Sequence, residues 1–128
     1  MGDDQQPTFG NGKICYLEIP AMDIDTSASF FEKVFDWKVR KRGDGSTSFD
    51  DGVGQVSGTW LMNKKPATDP EIMIHIMVDD INASMDAVVA NGGKIVQGVG
   101  AHASEITAKI SDPAGNVFGL YQHRGSGS

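Results

Sequence analysis

The run "LEIPAMDIDTSASFFEKVFDWKV" (residues 17–39) packs a strand, a bend and a helix into one stretch. Its strand starts earlier, as "KICYLEIP" (13–20), where Tyr16 and Glu18 alternate with Cys15, Leu17 and Ile19, the period of an extended chain. Pro20 ends that alternation. From Asp23 the apolar positions recur every three to four residues, Ile24, Ala28, Phe31 and Phe35, which predicts an amphipathic helix. Asp25 is the expected N-cap, with Thr26 and Ser27 as alternatives. Three strand-like runs follow, "WKVRKR" (37–42), "TSFDD" (47–51) and "QVSGTWLMN" (55–63), parted by glycine-bearing turns.

The proline-bearing "KKPATDP" (64–70) interrupts the pattern, and then the same plan returns. "EIMIHIMVDD" (71–80) reads as a strand and "INASMDAVVANGG" (81–93) as a helix capped by Asn82 and stopped by Gly92 and Gly93. "KIVQ" (94–97), "SEITAKIS" (104–111) and "GNVFGLYQH" (115–123) supply three more strands. An offset of 57 superposes Ile19 on Ile76, Asp23 on Asp80, Ser27 on Ser84 and Gly58 on Gly115. These matches imply a duplicated βαβββ unit and an α+β fold. The expected organisation is a flexible N-terminus (1–12), one domain (13–122) of module one (13–63), linker (64–70) and module two (71–122), and a flexible tail (123–128).

The 128 residues carry a net charge of −6, a field that repels nucleic acid and anionic lipid, so neither is an expected partner. The basic "KVRKR" (38–42) reads as a solvated strand edge. The single Cys15 rules out an internal disulfide and fits a reducing cytoplasm. There is no apolar run of the ~18 residues a membrane span needs, and the acidic start is unlike a signal peptide.

Alternation assigns Leu17, Ile19, Leu61, Ile74, Ile76, Phe118 and Leu120 to the helix-covered faces of the two sheets. The opposite faces would form a cup floored by Tyr16, Glu18, Trp60, Met62, Met73, His75, Met77, Val117, Gly119 and Tyr121.

In order and spacing, the run at 17–39, "MVDDINASMDAVVANGGKIV" (77–96) and "SDPAGNVFGLYQ" (111–122) resemble the vicinal oxygen chelate superfamily of glyoxalases, bleomycin resistance proteins and dioxygenases. The resemblance covers residues 13–122 and implies two tandem βαβββ modules curled into a U-shaped cup with helices outside, often dimeric. Its metal-using members take ligands from the first and last strand of each module. Carried onto this chain, those positions are Tyr16, Met62, Met73 and Gly119. None is a His, Asp or Glu, the donors that hard divalent ions require. Gly119 stands where the family's last-strand glutamate would be, so the vacated volume is expected to enlarge the pocket, or to let a neighbour such as Trp60 pack closely.

The expectation is therefore a metal-independent, cofactor-free small-molecule-binding protein, a cytoplasmic homodimer. Its ligand wall would be Tyr16, Trp60, Met62, Met73, Met77, Gly119 and Tyr121. The alternative is a lyase or isomerase acting on a small carbonyl or hydroxy compound, with Glu18 and His75 as acid/base pair. A glycine-bearing stretch, "QGVGAHASE" (97–105), reads as a lid or a long hairpin connection, and His102 and His123 as loop and tail.

Overall fold

The computed structural model describes residues 7–102 and 105–123; the expected tail beyond His123 and the first six residues lie outside that range. The order is β1 (Tyr16–Pro20), α1 (Ile24–Phe35), β2 (Lys38–Lys41), β3 (Thr47–Asp50), β4 (Ser57–Leu61), β5 (His75–Met77), α2 (Ile81–Ala90), β6 (Lys94–His102), β7 (Glu105–Ser111) and β8 (Val117–His123). Two four-stranded mixed sheets result, β1-β4-β3-β2 and β5-β8-β7-β6, with β1/β4 and β5/β8 parallel. This is the duplicated βαβββ plan, and the two sheets remain separate rather than closing into one.

Both helices start two residues earlier than Asp25 and Asn82 suggest. Asp23 caps α1, its carboxylate accepting from the Thr26 amide, and Asp80 caps α2 by accepting from the Ala83 amide. An extended residue whose short carboxylate meets the amide three positions on satisfies an otherwise orphaned donor. The capping aspartates are themselves related by the offset of 57. No helix of the described residues is long and apolar enough to cross a membrane.

One core serves both modules. Phe31, fully buried on α1, stacks on Trp37 at 4.5 Å between centroids. It also meets Phe118 of β8 edge-on at 5.5 Å. Phe49 and Trp60 continue the cluster, at 4.8 Å from each other. On β4, Gly58 is the close-approach point, since a Cβ there would overlap the Leu17 carbonyl oxygen and the Phe49 ring.

The linker is tied to both halves by Asn116. Its Nδ2 donates to the Pro20 carbonyl (2.7 Å) and to Asp112 Oδ2 (2.9 Å), while its Oδ1 accepts from the Ala67 amide (2.8 Å). The turn "DPAGN" (112–116) is closed by Asp112 Oδ1, which accepts from the Ala114 and Asn116 amides.

Candidate functional site

Pairing register decides which side chains share a face, and it corrects the reading of β4. Glu18 lies opposite Thr59 and Ile19 opposite Trp60; in module two His75 lies opposite Gly119 and Ile76 opposite Leu120. With Glu18 equivalent to His75, Gly119 is equivalent to Thr59, an offset of 60 rather than 57. The extra residues come from the longer β6–β7 hairpin, whose ladder shifts register twice. Because side chains alternate, an odd slip moves every residue of a strand to the opposite face.

Trp60 therefore belongs to the core, only 2% exposed, and not to the ligand wall, while Leu61 shares the face of Glu18 and Pro20. Met62 lies beyond the end of β4, exposed beside Asn63, whose positive φ turns the chain away. Met62 instead lines a shallow open cavity of about 320 Å³ with Asp23, Asp25, Lys41 and Thr47. Met73 precedes β5, which is shorter than its alternation implied. Of the segment 97–105, the described part is paired strand: β6 runs to His102 and pairs with β7 from Glu105, so His102 and His123 end strands.

The face of module one turned away from the helices is more polar than expected. Arg40, Ser48, Thr59 and Glu18 form one row across four strands, and Lys38, Asp50, Ser57 and Tyr16 the next. Arg40 donates twice to Asp50, from Nε to Oδ2 (3.0 Å) and from Nη2 to Oδ1 (2.9 Å), and Ser57 adds a hydroxyl at 2.7 Å. The Arg40 hydrogen bonds hold the Asp50 carboxyl below its ordinary range, and in turn raise Arg40. The Ser48 hydroxyl is buried and meets no partner among the described residues. Thr59 spends its hydroxyl on the Thr47 carbonyl (2.6 Å).

On the corresponding face of module two, three rows surround Gly119, and a fourth at the strand ends pairs His102, Glu105 and His123. His75, Gly119, Lys109 and Gln97 form the middle row; Met77, Tyr121, Thr107 and Gly100 flank it on one side, and Val117, Ser111 and Lys94 on the other. Gly119 is not an empty pocket. A Cβ on it would overlap Nδ1 and Cε1 of His75, whose imidazole lies across the glycine. The ring thus fills the space that a side chain at 119 would occupy, and the neighbour that needs the glycine is His75, not Trp60. Glu18, His75, Tyr16 and Met77 are all exposed, and no hydrogen bond joins Glu18 to His75 among the described residues.

A profile of the Glyoxalase/Bleomycin resistance protein/Dioxygenase superfamily matches residues 13–120. The chain belongs to this superfamily. A glyoxylase-like domain-containing protein of Didymella fabae is 32% identical to it over 98 residues, 66% of this chain and 71% of the relative. Two solved structures share its fold. A hypothetical protein of S. aureus superposes with a TM-score of 0.71 at 19% identity, covering 88% of this chain and 99% of its own. A glyoxalase/bleomycin resistance protein/dioxygenase family enzyme of Burkholderia phytofirmans PsJN superposes at 0.69 with 17% identity, covering 84% and 96%.

Members of the superfamily that use a metal need a donor set at the strand positions identified above. With the corrected register these are Tyr16, Thr59, Met73 and Gly119, a phenol, an alcohol, a thioether and no side chain at all. Among the described residues no three His, Cys, Asp or Glu side chains converge as ligands. This set does not fit a hard divalent cation.

Proposed function

We propose that this superfamily member binds a small organic molecule on the sheet faces turned away from its helices, without a metal ion. The observation that carries this reading is the donor set: coordinating side chains are replaced by groups that shape and line a surface. Tyr16, Met77 and Tyr121 offer aromatic and thioether area, and the His75 ring lies across Gly119 in the row beside Met77 and Tyr121. Met73, partly buried before β5, would add to that wall. The proposed assembly is a cytoplasmic homodimer.

Equilibrium dialysis against aromatic compounds should give saturable binding that excess chelator leaves unchanged, from a species sedimenting at twice the chain mass. Binding abolished by chelator, or none at all, would refute it.

One observation favours a second reading, an enzyme of the lyase or isomerase kind. Glu18 and His75 occupy equivalent positions in the two modules, and both are exposed and unpaired among the described residues. A carboxylate and an imidazole free to meet a substrate can move protons. Glu18→Gln and His75→Asn should then each lower kcat by about 100-fold or more on a carbonyl or hydroxy substrate. Unchanged turnover in both variants removes this reading.

A further inference from the structure

Resting on the small-molecule reading above, we infer that the outward face of module two is an oxyanion site, built by Lys109 and His75 on either side of Gly119. It would take a small organic carboxylate or phosphate monoester with an apolar body. Neighbouring strands lie about 4.8 Å apart, so the two residues flank the glycine across roughly 10 Å of sheet. The glycine is what lets them cooperate. With no side chain at 119 the imidazole leans over the strand between them, towards the strand that carries Lys109.

Charge on this face singles it out. The chain as a whole is acidic, yet the three rows around Gly119 hold Lys109, Lys94 and His75 and no Asp or Glu, the nearest acidic register position of this face being Glu105, four residues along β7 from Lys109. Lys109 has no ion-pair or hydrogen-bond partner among the described residues, although it is partly buried. Module one offers the contrast: its Arg40 is already held at two points by Asp50 and has a counter-ion in place. A lysine without a counter-ion beside an unbonded imidazole leaves oxyanion recognition to the ligand. Met77, 72% exposed, and Tyr121 lie in the next row and would cover the apolar body.

Benzoate, phenyl phosphate and neutral benzyl alcohol serve as probes, titrated by calorimetry with amide shifts followed by NMR. Both anions should bind at least about tenfold more tightly than the alcohol, the size expected of one charge-assisted contact. Their shift changes should centre on residues 75, 109 and 119. Lys109→Met, which keeps the aliphatic stem, should erase the preference and leave the alcohol unaffected, while Lys109→Arg retains it. Gly119→Ala should push the imidazole aside and weaken both anions. If the alcohol binds as well as the anions, this inference fails while the small-molecule reading stands. It also fails if Lys109→Met changes nothing or the shifts centre on Arg40. Binding of none of the three probes counts against both.

Discussion

Asn116→Ala should lower the stability of this protein by roughly 3–5 kcal/mol, since each buried polar group left without a partner costs about 1–3 kcal/mol. The substitution strands one such group outright, an oxygen of Asp112, and removes the partner of two more in part-buried contacts, the Pro20 carbonyl and the Ala67 amide. Asp112 and Asn116 are each only 2% exposed, so water cannot simply replace the lost partner. Burial holds the Asp112 carboxyl above its ordinary value of 3.8, while the donors of Asn116, Ala114 and Gly115 pull it back. Without the Asn116 side chain, burial is less opposed and the carboxyl rises further.

A carboxyl raised in the folded state contributes fully where both states are protonated, and that contribution is lost as pH climbs through the folded value. The deficit of the variant should therefore be larger at pH 7 than at pH 4. Urea unfolding at the two pH values measures this. A deficit under about 1 kcal/mol, or one equal at both pH values, would show that Asn116 does not join the halves as described.

The second large effect is expected at Phe31. Truncation of a fully buried phenylalanine to alanine costs about 3–5 kcal/mol, the spread reflecting how far the site collapses. Collapse is limited here, because rings from α1, β4 and β8 converge on the same point: Phe30 at 5.1 Å, Trp60 at 6.0 Å and Phe118 at 5.5 Å. The chain's two tryptophans both touch Phe31, so Phe31→Ala should also alter their emission before unfolding begins. Phe31→Leu should recover much of the loss. Wild-type stability with unchanged emission would mean that the two modules do not depend on this contact.

How much of this was legible beforehand follows from what each element needs. The repeat, the linker and both helices are properties of local order: an apolar period, a proline-rich break, a pair of aspartates at matching positions. Those could be read without knowing what packs on what. The facing of β4 was lost for a different reason. In "QVSGTWLMN" Val56, Trp60 and Met62 form the apolar alternation and Gln55, Ser57, Thr59 and Asn63 a polar one, but the numerical match, misled by three residues through the lengthened β6–β7 hairpin, put the apolar alternation on the ligand face, and pairing with β1 and β3 reverses it. Trp60 crossed to the core and Met62 left the site for that one reason. Gly119 illustrates the same limit. The glycine marks a close approach, but the ring that needs the space belongs to His75, on a different strand far earlier in the chain. The row of Lys109 beside it likewise emerges only when three strands are laid side by side.

The aromatic junction has a corollary for anyone who would divide this polypeptide. Cut between Lys64 and Pro70, it would yield two pieces, neither self-sufficient. The first would display Phe31 with no Phe118 to meet it, and the second would keep Asn116 with no Pro20 carbonyl to grasp. Mixed together, the pieces carry complementary halves of one nucleus, which makes the chain a natural starting point for a split-protein reporter.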